Sequence, residues 1–173
     1  NIRLTNEACS CIAKMKKNVL VEAEIGRIYG TEDGIVSDGT GGSGIEEIEE
    51  FVRRVNIDML ALAIGTAHGQ YKGMPRIQYD MIEKAGEITD VPLVVHGGSG
   101  LDDATLIRLL SYKNVKKINI STDVKLAYRA GIEKSREMGY MKAEGFDPLR
   151  VVGQIQAAVE CMVMEKLSLL EKE

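Results

Sequence analysis

The chain has 173 residues, 45% of them hydrophobic and 28% charged, and its 22 basic against 26 acidic side chains leave a net charge of −4. This is the composition of a soluble globular protein long enough for a real core; a nucleic-acid binder would need a basic face, and no apolar run approaches the ~20 residues of a membrane span. The first ten residues do not read as a signal peptide, and the three cysteines, Cys9, Cys11 and Cys161, are an odd number without zinc-finger spacing, as expected of free thiols in a reducing cytoplasm.

The chain opens within a helical pattern, with Ile2, Leu4, Ala8, Cys11, Ile12 and Met15 near helical spacing and no cap before them. Residues 18–25 read as a strand. Asp38 to Gly44 is a Gly-rich stretch that reads as a mobile loop, either a connector or a lid over a site. A helix is predicted over 44–55, its single apolar stripe made by Ile45, Ile48, Phe51, Val52 and Val55. Residues 59–64 form a continuous apolar run, as expected of a strand buried on both faces. A helix over 78–88, a strand over 91–95 and a short helix over 102–110 follow, with Asp102 and Asp103 suited to the positive end of the last. A fourth strand is predicted over 115–120 and a helix over 122–138. A last amphipathic helix spans 148–170, with Pro148 in its first turn. Strands alternating with helices imply a parallel sheet, as an open doubly wound sheet or as part of a (β/α)8 barrel.

The chemistry-bearing residues cluster just after the strands, where parallel α/β folds carry their sites. The chain's only two histidines, His68 and His96, fall there on consecutive βα loops, either as ligands of one metal or as hydrogen-bonding loop residues. His96-Gly97-Gly98-Ser99-Gly100 and Asn119-Ile120-Ser121-Thr122 each precede a helix. Glycines let backbone N–H groups approach an anion, and a helix N-terminus favours one, so two such loops in succession point to phosphate. Lys72 offers a compensating cation. Glu22 and Glu24 lie on one side of their strand, facing either solvent or, inside a barrel, a metal or cation. Glu32 sits in a flexible turn, where a carboxylate could shuttle a proton.

These segments together resemble class II, metal-dependent fructose-bisphosphate or tagatose-bisphosphate aldolases. The resemblance is carried by Val21-Glu22-Ala23-Glu24-Ile25-Gly26-Arg27 with Gly30-Thr31-Glu32-Asp33-Gly34, by Ala63-Ile64-Gly65-Thr66-Ala67-His68-Gly69 with Tyr71-Lys72, by Leu93 to Gly100, by Lys117 to Asp123 and by Phe146-Asp147-Pro148. It implies a TIM (β/α)8 barrel of which this chain, as a single domain over 1–173, holds the last four βα units and the C-terminal helix. It implies reversible aldol cleavage of a ketose bisphosphate to dihydroxyacetone phosphate and an aldehyde, with zinc polarising the ketone. By the same resemblance His68 and His96 ligate zinc, Glu24 lies near the metal, and Glu32 transfers a proton. Gly69, Lys72, Gly97, Ser99, Asn119 and Thr122 hold dihydroxyacetone phosphate, with a monovalent Na+ or K+ acting near the phosphate. Two departures stand out. Nothing in the chain matches the family's third zinc histidine or the aspartate beside it, and Ser121 stands where fructose-bisphosphate aldolases usually have Asp, a position that faces substrate hydroxyls. A homodimer or homotetramer is expected, with Val151, Val152, Ile155, Ala158, Val159, Met162 and Met164 of the last helix serving either oligomer contacts or packing on the same barrel. The rival expectation is a non-catalytic, sugar-phosphate-binding half-barrel or partner subunit.

Overall fold

A computed structural model describes residues 1–15, 18–26, 28–32, 35–37, 44–69, 71 and 73–171, with 29–32 and 35–37 described by backbone alone. In chain order the elements are α1 (Ile2–Lys14), β1 (Glu22–Ile25), β2 (Tyr29–Glu32), β3 (Ile35–Ser37), α2 (Ile45–Arg54), β4 (Met59–Leu62), β5 (Ala67–His68) and α3 (Tyr79–Ile88). They continue with β6 (Leu93–Val95), α4 (Asp103–Ser111), β7 (Val115–Ile118), α5 (Thr122–Glu137) and α6 (Pro148–Leu167), closed by a 3-10 turn at Ser168–Glu171.

The apolar runs become the middle of a parallel sheet ordered β1-β4-β6-β7. Side-chain alternation sorts its two faces. Ile25, Leu60, Leu62, Leu93 and Val95 belong to the hydrophobic core. Helices α2, α3 and α4 close that side with Ile48 and Phe51, Ile82 and Ala85, and Leu106 and Leu109. The other face carries a row in register, Glu24, Ala61, Val94 and Lys117, one residue from each strand. A second small sheet, ordered β3-β2-β5, pairs Gly30 with His68.

Several boundaries differ from expectation. The first strand covers only Glu22–Ile25 of the predicted 18–25, because Val19 and Leu20 are exposed and pairing with β4 begins at Glu22↔Met59. The fourth ends at Ile118. Asn119 still donates its N–H to the Val95 carbonyl but turns out of the strand to accept from the Gly98 N–H. The helical pattern at the start begins at Ile2, with Asn1 in the cap position and its carbonyl accepting from the Thr5 N–H. Glu32 is not in a turn: it ends β2, which pairs antiparallel with β3 as Glu32↔Ile35. The Gly-rich residues 38–43, and Arg27, lie outside the described residues, and Gly44 is the N-cap of α2. The last helix stops at Leu167, and the following turn brings Leu169 back into the core. No helix among the described residues is long and apolar enough to cross a membrane.

Helices α5 and α6 pack so closely that a Cβ on Gly131 would lie 2.4 Å from the Ile155 Cα and 2.8 Å from the Gln154 carbonyl oxygen. Val151, Ile155, Ala158, Val159 and Met162 are half-buried, whereas Val152 and Met164 are exposed. In contrast, a Cβ on Gly153 meets nothing within 4 Å. Ala in place of Gly gains about 0.8–1 kcal/mol of helix propensity. At Gly131 overpacking against backbone costs about 1–3 kcal/mol and outweighs it. Gly131→Ala is therefore expected to lower the urea midpoint and Gly153→Ala to raise it. A stabilised Gly131→Ala would show that the two helices separate freely.

Candidate active site

The site lies where the sheet's strands end. His96 directly follows β6, and both its ring nitrogens face carboxylates: Nε2 lies 2.8 Å from Glu22 Oε1 and Nδ1 lies 2.9 Å from Glu24 Oε2. Lys117, from the opposite edge strand, places Nζ 2.7 Å from Glu22 Oε2. The period of two that put both glutamates on one side of β1 puts them on the polar face of the sheet. The hydrogen bond that His96 donates to Glu24 raises the His96 pKa above its ordinary value; burial opposes this, and Glu22 reinforces it. Burial alone would raise the Glu22 pKa, but the hydrogen bonds and charges of Lys117 and His96 outweigh it and hold the carboxyl low.

The two imidazoles stand side by side, with ring centroids 5.8 Å apart and planes tilted by 40°. Two histidines on one tetrahedral zinc, with nitrogens at 2.0–2.1 Å, would have centroids roughly 5 Å apart. The donor chemistry, two imidazoles with a carboxylate at one of them, suits such an ion. Among the described residues, no three His, Cys, Asp or Glu side chains are arranged as a metal-holding group.

Tyr71 fixes the spacing of the two histidine loops. Its hydroxyl accepts from the Ala67 N–H at 3.0 Å and donates to the Gly97 carbonyl at 2.7 Å. Gly97 has φ +70, and a Cβ there would lie 2.3 Å from the Ala67 carbonyl oxygen, so only glycine lets the loops approach this closely. Ser99 is buried, and its Oγ accepts from the backbone N–H groups of Ser121 and Asp123 at 3.1 and 3.2 Å. It thus caps α5 from another loop, while the Ser121 side chain makes no cap bond.

A pocket of about 110 Å³ opens between these loops. His68, His96, Gly97 and Ser99 line one side, and Asn119, Ser121, Thr122 and Lys125 line the other. Seven of the eight are residues singled out from sequence; Lys125, one turn after Thr122 on α5, is the addition, and its helical offset from Thr122 was the available signal. Of the remaining expected residues, Gly69 follows His68 with φ +95, and Glu24 touches His96 rather than lining the pocket. Glu32 is two residues along β2 from Gly30, the register partner of His68. Lys72 lies outside the described residues. Lys117 and Tyr71 were quoted in motifs, yet no local pattern marked their partners.

The strand order and the placement of the site at the carboxyl ends of parallel strands define the fold class: four successive βα units of a TIM (β/α)8 barrel. Residues 1–173 match the model of the family described as fructose-bisphosphate aldolase class-II, and the chain belongs to that family. Among curated proteins it is 34% identical to a fructose-bisphosphate aldolase of Geobacillus stearothermophilus, over 96% of this chain and 56% of that protein. It is also 34% identical to a probable fructose-bisphosphate aldolase of Bacillus subtilis (strain 168), over 86% of this chain and 51% of that protein. Among solved structures it resembles the YdjI aldolase from Escherichia coli K12, with a TM-score of 0.75 and 28% identity over 98% of this chain and 54% of that one. A fructose-bisphosphate aldolase from Campylobacter jejuni, at 17% identity and a TM-score of 0.65, shares the fold. The chain spans about half the length of the curated relatives it matches.

Tyr71→Phe removes a group that satisfies both Ala67 N–H and Gly97 C=O. A partly buried polar group left without a partner costs roughly 1–3 kcal/mol. Urea unfolding is expected to show that loss, set against Tyr128→Phe, whose ring is 51% exposed. Equal effects of the two substitutions would mean that the loops are not held through Tyr71.

Proposed function

We propose that residues 1–173 form one domain, the C-terminal portion of a zinc-dependent ketose-bisphosphate aldolase acting in the cytoplasm. It would cleave its substrate reversibly to dihydroxyacetone phosphate and an aldehyde, which is glyceraldehyde 3-phosphate if the substrate is fructose or tagatose 1,6-bisphosphate. The observation that carries this reading is the pairing of His68 and His96 beside Glu24, at the mouth of a pocket whose far wall is a helix N-terminus. Family membership supports it.

His68 and His96, with Glu24 alongside, would hold zinc, which polarises the substrate ketone. Phosphate would sit against Gly69, Gly97, Ser99, Asn119 and Thr122, where backbone N–H groups and the positive end of α5 favour an anion. Lys125 and Lys72 would add positive charge, and Na+ or K+ could bind beside the phosphate. Ser121 would face the substrate hydroxyls. Glu32, on the strand whose Gly30 is in register with His68, would return a proton to the carbon that loses its bond partner on cleavage. The exposed side chains of α6, including Leu149, Val152 and Leu167, would provide contacts for a homodimer or homotetramer.

A second reading has its own observation: the phosphate-type pocket is lined on both sides, while no three-donor metal group is formed among the described residues. This would make the chain a sugar-phosphate-binding half-barrel or partner subunit without its own catalysis. Titration with dihydroxyacetone phosphate at saturating zinc separates the two, because binding without any cleavage of ketose bisphosphates favours the second.

In the complete enzyme, His68→Ala or His96→Ala is expected to remove bound zinc, and unchanged metal content would exclude both as ligands. Glu32→Ala is expected to lower kcat roughly 10²- to 10⁴-fold, as for loss of a general acid or base, and to leave KM nearly constant. A normal kcat would end its proton-transfer role. Ser121→Asp is expected to change the ratio of kcat/KM between bisphosphate epimers by about tenfold, or about 1.4 kcal/mol. An unaltered ratio would mean that position 121 does not select substrate.

A further inference from the structure

Resting on the metal-dependent reading, we propose that Glu22 and Lys117 form a positioning pair for His96: Glu22 accepts the hydrogen bond of Nε2–H, Lys117 holds Glu22 in place, and Nδ1 is left to face the cation. Neither residue lines the pocket. Their role is to decide which way the imidazole presents its lone pair.

The two carboxylates at His96 are not equivalent. Glu22 is the less exposed, 22% against 37% for Glu24, and it is gripped from both sides. Its Oε2 is taken by Lys117 at 2.7 Å and its Oε1 faces Nε2 at 2.8 Å. An ammonium only donates and a carboxylate only accepts, so the nitrogen facing Glu22 must carry a proton. A metal-bound imidazole keeps one ring proton. With that proton committed to Glu22, the lone pair falls on Nδ1, beside Glu24. The Nδ1 to Oε2 separation of 2.9 Å is a hydrogen bond, and it needs to widen only slightly. Two donors on one tetrahedral zinc at 2.0–2.1 Å stand roughly 3.3 Å apart. The proton between His96 and Glu24 thus marks the place a cation would take.

The lysine makes the arrangement testable. In Glu22→Gln the amide has a single acceptor oxygen, which Lys117 claims. The NH2 group then faces Nε2, which must accept, and the ring proton moves to Nδ1. Without Lys117 the amide is free to turn its oxygen to His96. Replacing both residues should therefore undo the damage of replacing one.

The test is Co2+ titration of the metal-free complete enzyme, followed by visible absorption. Loss of a group that orients a metal ligand typically lowers affinity about 10- to 100-fold, and Glu22→Gln is expected to fall in that range. The double variant Glu22→Gln/Lys117→Met is expected to return to within about threefold of wild type, a non-additivity that marks coupled residues. A double variant that binds more weakly than Glu22→Gln would overturn the proposal, since that is what a purely structural role produces. Nitrogen NMR of the His96 ring in the zinc-loaded wild type supplies a second readout. A proton on Nε2 supports the assignment, and one on Nδ1 overturns it. Wild type that takes up no Co2+ removes the metal-dependent reading and this proposal together. Wild type that binds Co2+ no better than Glu22→Gln removes the positioning pair alone.

Discussion

An imidazole clasped between two carboxylates sets the terms for the rest of the molecule. Two glutamates on one face of a strand repel each other and lose hydration unless cations meet them. Lys117 supplies that charge from the far edge of the sheet, and the His96 ring nitrogens meet both carboxylates. Three strand spacings of about 4.8 Å would separate β1 from β7 by roughly 14 Å if the sheet were flat. A 2.7 Å contact between side chains of those strands requires the sheet to curl over its polar face. Glu22 is in register with Met59, and the row that holds Lys117 runs through Val94 and Ala61 to Glu24, so the bridge crosses the face obliquely. Curvature, small inner residues and large outer ones such as Leu60 and Leu62 are then one solution, the wall of a barrel with helices outside.

The loops inherit their positions from that wall. His96 leaves β6 at a fixed height, and the next residue, Gly97, lies against Ala67 so closely that no side chain fits between them. Tyr71 ties both backbones, so the place of His68 relative to His96 follows from a hydroxyl and a missing Cβ. Two residues further on, Ser99 reaches the first N–H groups of α5. One segment, His96 to Ser99, therefore positions an imidazole ring and a helix N-terminus together. A movement of β6 against β7 would displace both sides of the pocket.

Much of this was legible in the residues, for identifiable reasons. Buried parallel strands write themselves as apolar runs, and outer helices as single stripes, so Leu60–Ala63 and the Ile48–Phe51 stripe declare their elements. Histidines and glycines at strand ends declare the pocket, because no core needs them there. What escaped was non-local or short. The β2–β3 pair has strands of four and three residues, too short to show a period, and Glu32 at the end of β2 is expected in a turn instead. Strand β5 has two residues, below any period. The Glu22–Lys117 bridge joins residues 95 positions apart on strands that are not neighbours, and no spacing rule reports such a contact. Helix α6 misled in the opposite way. Its apolar residues form one face against α5 and another that is exposed, and a count of apolar positions does not separate them.

The cluster at His96 also bears on how two carboxylates are kept together on one face of the sheet. Two carboxylates around an empty centre would drive each other apart. Here the His96 ring lies between them, its pKa raised first by the hydrogen bond to Glu24 and then by Glu22 against the effect of burial. In the proposed enzyme His96, with Glu24 beside its Nδ1, would help to hold zinc, and the ring would have to give up a proton to do so. Metal sites whose ligands must first lose protons bind more weakly as the pH falls. The Glu22–Lys117 bridge curls the sheet, Glu24 lies at the other ring nitrogen, and the His96 ring joins the two because it meets both glutamates.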